Sequence, residues 1–177
     1  APSDLLLTSL GDEEAERDVR RLEALGLDTA ADRSLLSGLR ARAGARSEAL
    51  EAIENALAED PSVANDWYSH AQLLYQEGEH GKSLTSVDRC LELDRQHGEA
   101  WALLAILLAS KKNKLKEALK AATHAVALDS GGVELMMLKV DLLIASGSPA
   151  DATKAMEKSL ATHPQNGELR ATIASKK

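Results

Sequence analysis

Apolar and small residues recur along this chain at helical spacings, and the pattern repeats about every 34 residues. Four segments share an order in which apolar residues follow a small residue three or four positions apart, which is typical of one face of a helix. The small residues that align the four segments are Ala49, Ser83, Ala118 and Ala152. Another apolar helix precedes each of these segments. Two of those preceding helices carry Trp67 and Trp101, which are also 34 residues apart. The pattern predicts an all-α chain of paired helices without strands.

Turn-forming residues mark the ends of these predicted helices. Gly, Pro and polar runs lie between paired helices in the segments RAGAR, EGEHGK, KKNKLK and SGSPA. Similar breaks, such as Asp60-Pro61, separate one pair from the next. The third pair carries one extra residue, and the Lys-rich turn between its helices is the simplest place for it.

These features resemble the tetratricopeptide repeat family, whose unit of about 34 residues carries Trp, Leu-Gly, Tyr, Ala, an aromatic or apolar residue and a closing Pro. The resemblance covers four repeats, which are 30–63, 64–97, 98–132 and 133–166. Residues 1–29 are interpreted as a degenerate or truncated repeat, and residues 167–177 as the start of a closing helix. The departures from the pattern are His70 for Leu, Ser83 for Ala, and Arg95 and Ser130 for the terminal Pro.

The resemblance implies a right-handed α-α superhelix, a solenoid of stacked antiparallel helix pairs in which neighbouring pairs together supply the core. Helices that cross closely need small side chains, because a bulky one would overpack the contact. The predicted crossing residues are Ala71, Ala105 and Val140 on first helices and Ala49, Ser83, Ala118 and Ala152 on second helices. Trp67 and Trp101 then fall on the buried face of their helices, whereas Tyr68 and Tyr75 fall elsewhere.

Tyr68 and Tyr75 are seven residues apart, close to two helical turns, and therefore share one side of their helix. In the family, set positions on the first helix of each repeat line the inner face of the superhelix. By this register the face holds Asn65, Tyr68, Gln72, Tyr75 and Gln76, then Glu99, Ala102, Ile106, Ala109 and Ser110, then Glu134, Met137, Asp141, Ile144 and Ala145. Packing between neighbouring repeats is the alternative role of the two tyrosines.

The function that this predicts is a non-enzymatic protein–protein interaction scaffold or adaptor, which binds a peptide or helix of a partner in its concave groove. The predicted site has apolar contacts at Tyr68, Tyr75, Ile106 and Met137, and polar positions at Asn65, Gln72, Gln76 and Asp141. The alternative is a structural scaffold that associates with itself through the open ends of the repeat array. The expected partners are therefore a protein or peptide, or a second copy of the chain.

Composition and charge narrow the chemistry of the chain. Apolar residues make up 44% of it and aromatic residues only 2%, so Ala and Leu carry the core. The net charge of −7 argues against nucleic acid as a partner, because binding to phosphates needs a cationic surface. The lysines between Lys111 and Lys120 are expected to form a solvated turn and outer helix face, or else a contact for an acidic partner.

The sequence lacks the patterns of catalytic and metal sites. No two of its five histidines have the i,i+4 spacing of a helical zinc site, and Cys90 has no cysteine partner. No Ser/His/Asp order, phosphate loop or Gly-rich dinucleotide fingerprint occurs. We therefore expect no enzymatic activity, no cofactor and no metal.

The segments expected for membrane insertion or export are also missing from the sequence. No apolar run reaches the roughly 18–20 residues that a membrane-spanning helix needs. The chain begins APSDLLLTSL without an initiator Met, as in a processed or trimmed product. The cytoplasm is the favoured location, and a removed signal peptide or anchor is the open alternative.

Overall fold

The computed structural model describes residues 14–15, 17–21, 24–26, 29–42, 44–128, 132–162, 167 and 171. All regular secondary structure in these residues is helical, which confirms the predicted all-α fold. The chain divides into two compact units, Ala1–Arg95 and Gln96–Lys177. Much of the predicted N-terminal repeat and of the predicted closing helix lies outside the described residues.

Two helix pairs form the described part of the first unit. In the first pair α1 spans Ala30–Arg42 and α2 spans Arg46–Glu59, and in the second α3 spans Ala64–Gln76 and α4 spans His80–Leu93. The members of each pair pack against each other across a short turn, which makes them antiparallel. Helix α2 also packs against α3 and so joins one pair to the next.

The second unit repeats this arrangement. Its helices are α5, Gly98–Ala109; α6, Leu115–Ala127; α7, Gly132–Ala145; and α8, Pro149–Thr162, with a 3-10 turn at Lys112–Lys114. Helix α5 packs against α6, α6 against α7, and α7 against α8. The first helices of the four pairs begin at residues 30, 64, 98 and 132, so they start at intervals of 34 residues.

Small residues occupy the helix crossings, as the sequence predicts. The predicted crossing residues are at most 1% exposed, and they are Ala49, Ala71, Ser83, Ala105, Ala118, Val140 and Ala152. Ser83 of α4 donates its hydroxyl proton to the carbonyl oxygen of Ala71 on α3, at 2.7 Å. In the preceding pair the donor lies on the first helix, because Ser37 of α1 donates to the carbonyl oxygen of Ala49 at 2.7 Å. The same type of hydrogen bond therefore joins the helices of both pairs. The donor lies on the second helix in one pair and on the first helix in the other.

Short side chains fill most of the remaining core. Ile53, Val87, Cys90 and Val140 are among the largest side chains that are fully buried. Cys90 is a buried cysteine on α4 that forms no disulfide, and Met136 and Met156 belong to the core between α7 and α8. Small and aliphatic side chains thus make up the buried core of the described residues.

The tryptophans lie at the edge of this core and are only partly buried. Trp67 packs on the cluster between α2 and α3, and its indole nitrogen donates to the carbonyl oxygen of Pro61 at 2.8 Å. The guanidinium carbon of Arg89 lies 5.9 Å from the centre of the Trp67 ring. Trp101 has its ring centre 4.8 Å from that of His124. An indole needs a partner for its N–H, and the edge of a core supplies one more readily than the centre.

Glycines in the left-handed region close the first helix in three of the four pairs. Gly44, Gly78 and Gly147 have φ angles of 79°, 79° and 82°. After α3, the amide of Glu79 bonds to the carbonyl of Leu74 at 2.9 Å, as in a Schellman motif. A residue other than Gly would be strained at these three positions.

The third pair turns without a glycine. Its connection is the 3-10 turn Lys112–Lys114, in which the amide of Lys114 bonds to the carbonyl of Lys111 at 2.8 Å. The crossing residues Ala105 and Ala118 are thirteen positions apart, one more than in the other pairs. The extra residue predicted for this pair therefore lies between its helices, where a longer turn replaces the glycine.

Candidate functional site

In the first unit, the predicted site residues form an accessible stripe on α3. Asn65, Gln72, Tyr75 and Gln76 are exposed, and Tyr68 is half-buried. Tyr75 is 36% exposed, so a large aromatic side chain remains in contact with water. Tyr68 and Tyr75 flank Ala71, the residue that contacts α4 at the helix crossing, so the stripe borders that crossing.

Contacts with neighbouring side chains hold both tyrosines of this stripe in place. The amide nitrogen of Gln72 donates to the phenol oxygen of Tyr68 at 2.8 Å, one helical turn apart. The ring of Tyr75 lies 5.3 Å from that of His80, the first residue of α4, at an interplanar angle of 44°. Each ring thus has a neighbouring side chain that favours the orientation seen here, and an oriented ring loses less entropy on binding.

Four of the five corresponding positions of α1 carry small residues, and the fifth is the exposed Arg42. Ala31, Ser34 and Gly38 precede Asn65, Tyr68 and Gln72 by 34 residues each. A Cβ built on Gly38 would meet no atom within 4 Å, so the space above this position is open. Aromatic side chains on α3 thus stand next to a low, small-residue surface on α1.

A buried acid ties these two helices together. Asp66 of α3 is only 5% exposed, and it accepts a hydrogen bond from the hydroxyl of Ser34 on α1 at 2.6 Å. This pair was not predicted from the sequence. Asp66 comes directly after the predicted site residue Asn65, and Ser34 is the counterpart of Tyr68 on α1. A buried carboxylate is stable only with such a partner, so an Asp inside an apolar helix pattern was the available signal.

His70 lies on a different side of α3 from the stripe and joins three helices. Its Nδ1 is 3.0 Å from the hydroxyl of Ser86 on α4, and its Nε2 is 3.6 Å from a carboxylate oxygen of Glu54 on α2. Burial lowers the pKa of His70, and the nearby Glu54 carboxylate opposes that shift. His70, which stands where the family usually has Leu, thus places a titratable group at the edge of the core.

The second unit exposes two of its three predicted site residues. Ile106 on α5 is 41% exposed, and Asp141 on α7 is also exposed. Ile144, on the same predicted face, is 50% exposed. Large apolar side chains therefore remain in contact with water on the first helices of this unit.

Met137 is the predicted partner contact that the structure places in the core. Met137 is only 7% exposed and belongs to the core with Met136, Val140 and Met156. Helix α7 is apolar over most of its circumference, so α8 covers a wider arc of it than one stripe of residues. A register taken from α3, which has a clear polar side, overestimates the free face of such a helix.

Neither a metal-binding group nor a membrane-spanning helix is found among the described residues. No three His, Cys, Asp or Glu side chains among them are grouped so that they could hold a metal ion. No helix in the described ranges is long and apolar enough to span a membrane. What the accessible faces of α3, α5 and α7 provide is contact area with aromatic, aliphatic and amide groups.

Comparison with known proteins agrees with this architecture. A family model described as "Tetratricopeptide repeat" matches residues 67–97, which run from Trp67 through α4. A sequence search against curated proteins gave no match. The residue pattern of the second helix pair is thus the part of the chain that a family model recognises.

Solved structures with the same fold cover between 68% and 97% of this chain. A structure titled "Crystal structure of MamA protein" has 12% identity, a TM-score of 0.73, and coverage of 95% of this chain and 96% of that one. YrrB, described as "a TPR protein with an unusual peptide-binding site", has 22% identity, a TM-score of 0.71, and coverage of 97% and 88%. The first repeat domain of Spaghetti, bound to an HSP90 peptide, has 16% identity, a TM-score of 0.62, and coverage of 68% and 94%.

Proposed function

We propose that this chain, which contains a tetratricopeptide repeat at residues 67–97 and has the fold of tetratricopeptide repeat proteins, binds a partner protein on its first helices. It would act as a non-enzymatic scaffold or adaptor that holds a peptide or a helix of that partner. Two neighbours in fold support this proposal, since the printed description of YrrB names a peptide-binding site and that of Spaghetti a bound peptide.

The observation that carries the proposal is the stripe of Tyr68, Gln72 and Tyr75 on α3. Tyrosine is enriched among the residues that dominate binding energies, because it combines apolar area with a polar tip and has few rotamers to lose. Both rings are already oriented by Gln72 and His80. The open space above Gly38 leaves room for a side chain of the partner beside them.

The binding mode follows from the shape of this surface. A row of side chains at helical spacing next to small residues suits an extended segment or a helix that lies along it. The exposed amides of Gln72 and Gln76 can pair with polar groups of the partner backbone or side chains. Binding without chemical change needs no nucleophile or metal, and this is the sense in which the scaffold is non-enzymatic.

The test is the double variant Tyr68→Ala/Tyr75→Ala, compared with wild type in thermal melts and in binding. The partner is first isolated by affinity capture on the wild-type chain, and its dissociation constant is then measured for each variant. The double variant should keep its free energy of unfolding within about 1 kcal/mol, because these side chains are accessible. Binding should weaken at least about tenfold.

Two further variants serve as controls for this test. Leu93→Ala removes a 44% exposed apolar side chain from α4, outside the stripe, and should leave binding unchanged. Trp67→Ala removes a side chain that packs on the core and should lower the melting temperature most. If the tyrosine variant melts as badly as Trp67→Ala, the tyrosines are packing residues. Normal folding with unchanged affinity would move the binding surface elsewhere.

A further inference from the structure

We infer that the exposed face formed by α5 and α7 of the second unit binds a segment of a partner protein that is apolar and basic. This acidic face is defined by its exposed residues, which are Glu99, Ile106, Glu134, Asp141 and Ile144. The inference rests on the proposed function and deepens it, because it gives the partner a chemical class. It concerns a surface that lies wholly within one unit.

The members of the acidic face point to the same side because they occupy equivalent places in successive repeats. An offset of 35 residues relates Glu99 to Glu134 and Ile106 to Asp141. Ile144 follows Asp141 by three residues and so lies on the same side of α7. Helix α5 also contacts α7 directly, which makes the two stripes neighbours.

The apolar part of the acidic face comes from two isoleucines. Ile106 is 41% exposed and Ile144 is 50% exposed. Ala102 and Ala109, on the same stripe as Ile106, are short and only half-buried. Covering two β-branched side chains with an aliphatic partner would remove their apolar surface from water.

The charged part of the acidic face is of one sign. Helix α5 contains no Lys or Arg, and the single lysine of α7, Lys139, is half-buried. Burial lowers the pKa of Lys139, and the charge of Lys158 on α8 lowers it further, which places this lysine towards α8. The exposed charged side chains of α5 and α7 are thus all carboxylates.

A histidine lies beside Glu99. The Nδ1 atom of His97 lies 3.4 Å from a carboxylate oxygen of Glu99. The same nitrogen accepts a hydrogen bond from the amide of Ala100 at 3.3 Å, as the cap of α5. Glu99 itself is exposed at the start of α5, where a partner can reach its carboxylate.

The exposed lysines among the described residues of the second unit lie on other elements. They belong to the turn after α5, to α6 and to α8, and they are Lys111, Lys116, Lys120, Lys154 and Lys158. Exposed acids also lie on α6 and α8, and they are Glu117, Asp151 and Glu157. The second helices thus carry charges of both signs, whereas the exposed charges of α5 and α7 are all negative. A basic segment is therefore attracted most strongly to the first helices of this unit.

The test uses two synthetic amphipathic peptides of about 14 residues, or four helical turns. One carries Leu along one face and Lys elsewhere, and the other carries Glu in place of Lys. Binding of each labelled peptide to the full chain is followed by fluorescence anisotropy at two salt concentrations. The Lys peptide should bind, more weakly at high salt, and the Glu peptide should bind at least about tenfold more weakly.

Charge reversals then locate the bound peptide. Glu99→Lys/Glu134→Lys should weaken binding of the Lys peptide at least about tenfold. The matched control, Glu117→Lys/Glu157→Lys, makes the same change of net charge at exposed positions of α6 and α8 and should change it less than about twofold. Equal weakening by both pairs would overturn the inference, because it would show attraction to the net charge alone.

The isoleucines give a second and independent readout. Ile106→Ser/Ile144→Ser should weaken binding of the Lys peptide by a similar factor at both salt concentrations. Unchanged affinity would show that the peptide does not cover the acidic face and would overturn the inference. If the isolated partner then loses affinity with Tyr68→Ala/Tyr75→Ala but not with the reversals at Glu99 and Glu134, the proposed function stands and this inference fails.

Discussion

Ser37 and Ser83 illustrate how single residues set the closeness of two helices. Each fills a crossing where the family has a small residue, and each gives its hydroxyl proton to a carbonyl on the opposite helix. A hydroxyl is hardly larger than a methyl group, so the crossing tolerates it, and the hydrogen bond offsets the cost of burying it. The repeat predicted Ser83 as a crossing residue, but it predicted neither the role of Ser37 nor the direction of the two bonds.

Ser83→Ala should therefore lower the free energy of unfolding by about 1 kcal/mol, since the bond to Ala71 is lost while the packing is kept. Urea denaturation measures this, with Thr85→Ala, an exposed position on the same helix, as the control. An unchanged or higher stability of Ser83→Ala would mean that the buried hydroxyl is a net cost.

His70 makes the stability of the first unit depend on pH. Its pKa is lowered in the folded chain, mainly by burial and against the pull of Glu54, so the unfolded chain takes up a proton more readily. The stabilisation is present above the unfolded pKa of about 6.5 and is lost as pH falls through the lower folded value.

The measurement is a set of melts from pH 7.5 to 5 on wild type and His70→Leu, the residue that the family usually carries. The melting temperature of wild type should fall more steeply below about pH 6.5 than that of the variant. His80→Gln, which removes an exposed histidine of the same unit, should keep the wild-type slope. Parallel curves for wild type and His70→Leu would show that the imidazole does not cause the dependence.

Met137 marks the limit of residue-level prediction. The repeat fixes its position on α7, but its burial depends on how far α8 covers that helix. On α3 the polar residues themselves indicate the free side, so the stripe around Tyr68 could be predicted. On α7 hydrophobic residues surround the helix, and only the three-dimensional packing decides which of them remain accessible.

At the level of elements, the turns between paired helices reverse the chain in two different ways. The first helix must end and the chain must reverse, and this is done either by a glycine with positive φ or by a longer 3-10 turn. Both the turns and the position of the extra residue could be predicted, because Gly and Lys-rich polar runs are local signals. The choice of a 3-10 turn could not, since it depends on backbone geometry.

Gly78→Ala should destabilise the chain by about 1–2 kcal/mol, because an alanine is strained in the left-handed region. No atom lies within 4 Å of the added Cβ, so steric contact contributes nothing to this cost. Gly81→Ala is the matched control, as Gly81 lies inside α4 without a positive φ and with the same open space. It should be neutral or stabilising. Equal losses in thermal or urea unfolding would contradict this account of the turn.

At the scale of the whole molecule, each unit has its own core and its own accessible first-helix face. The faces differ in chemistry, with tyrosines and amides in the first unit and isoleucines and carboxylates in the second. The all-α repeat architecture could be predicted because the same pattern of paired helices recurs about every 34 residues over more than 100 residues. Partner preference is a property of surface residues, and repeats leave those free to vary.

Light scattering over a wide range of concentrations tests the alternative of self-association. A scaffold that serves a different partner should give the mass of one chain throughout. A mass that rises with concentration would favour assembly through the ends of the repeat array. Repeating the series with Ile106→Ser/Ile144→Ser would then show whether the acidic face takes part.

The position of Cys90 allows the opening of the first unit to be measured by thiol labelling. It is the only cysteine of the chain, it is fully buried on α4, and the second unit has none. A thiol reagent can therefore label the native chain only when the first unit opens. Under conditions where closing is faster than labelling, the labelling rate reports the free energy of that opening event. The opening of the first unit can thus be followed separately, without introducing a probe.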